Sequence, residues 1–493
     1  MKVFDCRRLP TVWTILAVGF CRGSAVAAAE LPAEPLSIGA EPQFVFDRHV
    51  IDNQWAIKYK GQSLERVFHA PVKHPENPLL AGQGQMPHVR RDADGKFRMW
   101  YQVDVRGAPK IGEHAVAYAE SADGIRWTLP KLGLYEHEGS KDNNIVWPGL
   151  SDHCARGPFL LDLPEADRRG FSHVMLYRSQ RGLHLVGSQD GVHWDPKSVQ
   201  PIYKLHSDTH NVLVHDAARG EYVMYCRPKH IYRTFQGDVV DTGESRRVAR
   251  LASRDLWSPW QGEPQTILVP DNLDERERFN CFYGMPTQIY GGIYWGALWC
   301  FKMNTDIHVE LAYSRDGVDY QRLPERPKLI ERGPDGAWDD GMVFGEFPWV
   351  EVGDRWYLYY TGWDGPHEAD ATMRKPGLGL ATLRKDGFIS IRGPRSGGVL
   401  ATRKIVWPGG DLTVNADAHA GELKARVSDV GRKPIAGFNY DDCTALTGDG
   451  VAQTVRWGKR SLDELSGRTI RLEFYLRDAD LYTFRASIAA KPK

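Results

Sequence analysis

Short apolar runs rich in aromatic residues recur along most of this chain, each bounded by glycine, proline or aspartate, and none shows the three-to-four spacing of an amphipathic helix. Residues 97–101, 173–177, 222–225, 294–299 and 356–360 are five such runs. A second strand follows each of them, at 115–119, 183–186, 248–252, 310–313 and 379–382, and ends in a turn related to Ser-x-Asp-Gly. The turn aspartates are Asp123, Asp190, Asp255, Asp316 and Asp386, spaced 61 to 70 residues apart. So long and regular a period marks repetition of one supersecondary unit. Strand–turn–strand units without helical periodicity predict an all-β fold, a five-bladed β-propeller whose inner strands converge on one axial pocket. Asp-Gly supplies a tight turn, with glycine taking positive φ cheaply. Serine and aspartate side chains hold the turn's backbone amides. These repeated aspartates are therefore read as structural.

The pattern changes near residue 395. Residues 411–415, 422–427, 454–457 and 470–476 alternate apolar and polar with period two, separated by Gly and Asp turns. They predict a C-terminal β-sandwich over 396–493, following a propeller over 30–395. Residues 1–29 predict a signal peptide: Lys2, Arg7 and Arg8 precede an apolar stretch at 11–20, and small residues at 24–29 allow cleavage before Glu30. The stretch is too short for a membrane span, so the mature protein is expected to be secreted or periplasmic.

Charge excludes one class of partner. The 63 basic and 63 acidic residues balance, and no basic run suggests nucleic-acid binding. Cysteine gives no disulfide framework, because five scattered residues remain after the signal. CxxC, HExxH and Walker-type motifs are missing. No cofactor is expected, and no ligand spacing argues for a Ca²⁺ ion in the central channel.

The strand and turn from Tyr118 to Trp127, and the stretch from Trp338 to Gly365, resemble the clan of glycosidases that contains glycoside hydrolase families 43 and 32. The resemblance implies a secreted glycoside hydrolase acting on a carbohydrate, exo-acting from a single axial pocket and, by likeness to family 43, inverting. The chain also departs from the clan. Family 32 carries its nucleophilic aspartate on the first inner strand, whereas Gly84 to His88 here contains no carboxylate. Fructan hydrolysis is therefore not expected, and a catalytically inactive glycan-binding propeller is the alternative reading.

Glycoside hydrolysis generally needs two carboxyl groups flanking the scissile bond. Asp208 opens the inner strand of the third unit and matches the clan's second aspartate, which holds substrate and stabilises the oxocarbenium-like state. Asp339 and Asp340 precede the fifth inner strand; strand alternation lets one face the axis, and Asp340 is taken as base or nucleophile. Glu346 lies among apolar strand residues, where burial would raise its pKa and suit a general acid. His88, Asp152, His153, His210 and Tyr283 are expected substrate contacts, with Asn280 beside them. Trp363, with His367, Glu368 and Asp370, is expected at the rim. A phosphorylase or lyase would need a basic pocket, and the basic residues are not expected to cluster on inner strands.

Overall fold

The computed structural model describes residues 33–52, 64–105, 114–149, 154–204, 207–228, 246–277, 281–302, 305–369 and 373–488. The expected signal peptide, Asp152, His153, Asn280 and Asp370 lie outside them. Among the described residues the fold is nearly all β, as the period-two and apolar runs require, with one short α-helix at Asn272–Arg276 and single 3-10 turns at Glu165–Asp167 and Leu462–Leu465.

Five antiparallel units follow one another. The first comprises Gln85–Arg91, Phe97–Asp104, His114–Ser121 and Ile145–Trp147. The second comprises Arg156–Asp162, His173–Ser179, Gly182–Ser188 and Trp194–Tyr203. The third comprises Ser207–Asp216, Glu221–Pro228, Val248–Ser253 and Gln265–Leu268. The fourth is built on Cys281–Gly284, Thr287–Tyr290, Ile293–Phe301 and Ile307–Ser314, and the fifth on Met342–Gly345, Val350–Val352, Arg355–Trp363 and Pro376–Arg384. The leading strands of the first four units pack in succession: Gln85–Arg91 on Arg156–Asp162, that strand on Ser207–Asp216, and the latter on Thr287–Tyr290. The fourth unit then meets Met342–Gly345 through Ile293–Phe301 and Ile307–Ser314, and Val350–Val352 returns to Gln85–Arg91.

The Ser-x-Asp-Gly turns do more than reverse the chain. In the first unit Ser121 Oγ accepts from Gly124 N at 2.9 Å, and Asp123 Oδ1 accepts from the amides of Ile125 and Arg126, each at 2.8 Å. The same contacts recur at Asp190 and Asp316. The turn glycine carbonyl then accepts a bond from an aromatic side chain of the preceding unit: Trp100 Nε1 to Gly191 at 2.6 Å, and Tyr225 Oη to Gly317 at 3.0 Å. Tyr359 of the fifth unit does this to Gly124 of the first, at 2.8 Å, so the repeat joins the last unit to the first. A Cβ at Gly124 would lie 2.6 Å from that tyrosine oxygen, at φ +76°, so the contact needs glycine. Tyr359→Phe leaves the buried Gly124 carbonyl without this donor and is expected to cost about 1–2 kcal/mol, read by urea unfolding.

A second latch lies nearby. Val72–Lys73 and Leu80–Ala81 pair with Pro376–Arg384 as the outermost strands of the fifth unit. Between them the Asn77 side chain donates to Leu380 O at 2.8 Å and accepts from Leu380 N at 2.9 Å, in the manner of a backbone amide.

Two further sheets enclose a core that includes Trp407, Leu412, Leu423, Phe474 and Phe484. The lead-in, read from sequence with the repeats, pairs with these sheets: Leu36–Ser37 with Ile405–Val406, Gln43–Phe44 with Ala479–Ser487, and Glu65–Phe68 with Ile389–Gly393. The turn at Asp386 departs from the other four. Asp386 is buried with φ +56° and its carboxylate meets Arg485 at 2.9 Å, linking the last repeat to the C-terminal sheets.

Candidate functional site

The leading strands of the second, third and fourth units each bring a polar or aromatic side chain to the end where the strand begins. In the third unit a two-residue bulge between Asp208 and Val212 makes Asp208 the register partner of Arg227. Ser207 and Asn211 hold the bulge: Ser207 Oγ donates to Asn211 Oδ1 at 2.6 Å, and Asn211 Nδ2 donates to Asp208 O at 2.8 Å. Asp208 Oδ2 accepts from Arg227 Nη2 at 2.6 Å, and its Oδ1 lies 3.8 Å from Arg156 Nη1. The Arg227 guanidinium sits 4.1 Å from the centroid of Tyr283, over whose ring Arg246 also lies, at 5.2 Å. Tyr283 Oη and His367 Nε2 are 3.0 Å apart, and Arg374 covers Trp363 at 5.0 Å. These contacts link Asp208, Tyr283, His367 and, through Arg374, Trp363 into one cluster, the Asp208 mouth, with arginines interleaved among them.

His210 and Glu346 lie one layer deeper. The Nδ1 of His210 is 3.6 Å from Glu346 Oε2, and both side chains are almost wholly enclosed. Phe159 and Trp299 wall the imidazole edge to face, with centroids at 6.0 and 5.6 Å, and Phe344 joins Trp299 to Tyr283 at the mouth. Burial pushes the Glu346 carboxyl well above its ordinary range and the His210 imidazole down to about 3. Burial thus favours the neutral form of each, a carboxyl facing an imidazole. His88 is also buried, its pKa driven far down by burial and by Arg90, whose Nε donates to it at 3.1 Å. It packs against Phe159 and lines a separate cavity of about 970 Å³. The later halves of the leading strands enclose that cavity, so His88 belongs to the end opposite Asp208.

As read from sequence, Asp340 precedes the fifth inner strand, which begins at Met342, so strand alternation does not set the direction of its side chain. Its carboxylate accepts from Gly336 N at 2.7 Å and closes a loop turn. Asp339 is the buried member of the pair, but it bonds Lys73 at 2.5 Å and Tyr360 at 3.0 Å, toward the outermost strand. Basic residues do gather near this end, although mostly off the inner strands: Arg156 begins an inner strand, while Arg178, its register partner, and Arg227, the partner of Asp208, lie on middle strands. These three arginines were missed in sequence because each stands at the end of an apolar run, where a charged residue reads as a solvated strand terminus.

Among the described residues one group of side chains with metal-binding chemistry lies close together: Cys300, His308 and Glu310, with ligand atoms within 4.8 Å. Arg322 already supplies a cation there, donating to Glu310 at 2.6 Å and to Asp274 at 2.6 and 2.7 Å. Those bonds make it a buried ion-pair network within the fourth unit.

No family model and no curated protein matches the chain. Among solved structures it is similar to glycoside hydrolases of the propeller type. A thermostable family-43 glycoside hydrolase is 14% identical, with 66% of this chain and 96% of that one covered and a TM-score of 0.42. A structure from the GH130 family of mannoside phosphorylases, a family containing glycoside hydrolases that target β-1,2 mannosidic linkages in Candida mannan, is 16% identical over 64% and 94%, at 0.42. An N-acetylgalactosamine deacetylase from F. plautii, in complex with blood group B trisaccharide, is 15% identical over 66% and 96%, at 0.44.

Proposed function

We propose that this protein is a secreted glycoside hydrolase, a five-bladed β-propeller closed by Tyr359 and the Asn77 segment and followed by a C-terminal β-sandwich, with an exo-acting site at the Asp208 mouth. The observation that carries the reading is the contrast between two carboxyl groups near the axis. Asp208 is ion-paired with Arg227, whereas burial of Glu346 raises its pKa and favours its protonated form. Environments that push two carboxyl groups apart in this way divide the acid and base roles of glycosidic cleavage. In this reading Glu346, beside His210, protonates the departing glycosidic oxygen, and Asp208 activates water or stabilises the developing oxocarbenium charge. Tyr283 and Trp363 position the sugar.

A second reading, glycan binding without turnover, is favoured by the enclosure of Glu346, which is only 3% exposed, and by the first inner strand's lack of a carboxylate. A panel of aryl glycosides and oligosaccharides with the mature wild-type protein separates the two. On any substrate turned over, Asp208→Asn is expected to lower kcat/KM by about 10²-fold or more, the scale of a lost acid–base or charge-stabilising group. Undiminished turnover in that variant rejects the assignment. Binding of a glycan with no hydrolysis across the panel establishes the second reading.

A further inference from the structure

We propose that the Asp208 mouth is an oxyanion subsite, in which Arg156, Arg178 and Arg227 grip a carboxylate, sulfate or phosphate group. Two register pairs of adjacent units create it. Arg156 opposes Arg178 in the second unit, and Asp208 opposes Arg227 in the third. The two pairs meet where Asp208 lies between Arg227 at 2.6 Å and Arg156 at 3.8 Å. Arg178 is close enough to feel all three: Asp208 favours its charge, while Arg156 and Arg227 oppose it. Three guanidinium groups therefore gather around the Asp208 carboxylate, with Arg227 buried and Arg156 partly open to solvent.

Donor atoms point the same way. Arg227 is 3% exposed, yet its Nη1 has no hydrogen-bond partner among the described residues, and the buried Nε of Arg156 has none either. Buried donors without acceptors are costly, and guanidinium forks match the paired oxygens of an oxyanion in both geometry and charge. A purely structural Arg227–Asp208 pair requires neither Arg156 nor Arg178 beside it.

The anion has two chemical sources. An acidic sugar, a uronate or a sulfate ester, would carry it into the site described above, and that part rests on the glycan reading. Inorganic phosphate would instead enter as a co-substrate beside a neutral sugar. The test is calorimetric binding to the full mature protein, so it needs no turnover and stays separate from the hydrolase assignment. Galacturonate, galactose 6-sulfate, galactose and inorganic phosphate are titrated at constant ionic strength into wild type, Arg156→Gln and Arg178→Gln. Circular dichroism confirms that the variants are folded, and Arg156→Lys, which keeps the charge and loses the fork, gives a second measure.

The expected result is at least tenfold tighter binding of an acidic sugar than of galactose, or saturable phosphate binding, in each case weakened tenfold or more in Arg156→Gln and Arg178→Gln and only partly restored in Arg156→Lys. Preference for the acidic sugar places the anion on the glycan. Phosphate binding with no preference between acidic and neutral sugars places it in solution. Equal binding of acidic and neutral sugars with no saturable phosphate, or anion binding unchanged in both glutamine variants, overturns the proposal. Hydrolysis of a neutral glycan alongside such a result would leave the hydrolase reading standing.

Discussion

Replacing Glu346 with glutamine is expected to lower kcat by about 10²–10⁴-fold while leaving the fold intact, because glutamine copies the shape of a protonated glutamate and cannot supply the proton. The same variant has a stability signature independent of substrate. Burial raises the Glu346 pKa in the folded state, so above about pH 4.3, the ordinary glutamate value, the unfolded chain releases a proton that the folded chain keeps. Wild-type stability therefore falls as pH rises from there toward the folded-state pKa. Glu346→Gln removes that slope and gains on wild type with rising pH. His210 shapes the opposite limb. With its folded pKa near 3, it costs stability as pH falls below about 6.5, where the unfolded imidazole takes up a proton and the folded one does not. Urea unfolding of wild type, Glu346→Gln and His210→Asn between pH 4 and 9 measures both limbs. An unchanged alkaline slope in Glu346→Gln would show that Glu346 is ionised in the folded protein and is no acid.

Sequence periodicity exposed the repeats because the turn chemistry that makes them is local: Ser121 and Asp123 bind amides no more than three residues away. What the turns touch was hidden, since Tyr359 reaches Gly124 across 235 positions. Glu346 was visible as a polar residue among apolar ones and is enclosed, whereas His210, expected as a substrate contact on the face of Asp208, is enclosed beside Glu346. The direction of the Asp340 side chain was not legible, because alternation applies only within a strand and the Asp339–Asp340 pair sits in a loop before Met342. The arginines left a faint trace. Gln102, Arg178 and Arg227 each follow the apolar run of a middle strand at a matching place in the first three repeats. A polar residue held at one offset in successive units points to one end of the axis, a signal that only alignment of the repeats on each other brings out.

Arg227 is the arginine whose loss should cost the most. Its side chain is 4% exposed, its Nη2 meets Asp208 at 2.6 Å, and its guanidinium lies 4.1 Å from the Tyr283 centroid. Arg227→Ala removes a buried charge partner and a stacked cation together, with an expected loss of about 3–5 kcal/mol. Arg156 and Arg178 remain near Asp208 and compensate in part, which argues for the lower end of that range. Arg156→Ala should cost less than about 1 kcal/mol, because its contact is longer at 3.8 Å and its side chain is partly open to solvent. Asp208→Asn takes the carboxylate from between Arg227 and Arg156, so it should destabilise the single variant yet be tolerated better when Arg227→Met is added. A double-mutant cycle on Asp208 and Arg227 by urea unfolding isolates the coupling. A coupling near zero would mean that solvent screens the pair, and the mouth would then lack the desolvated cations on which its affinity for an oxyanion depends.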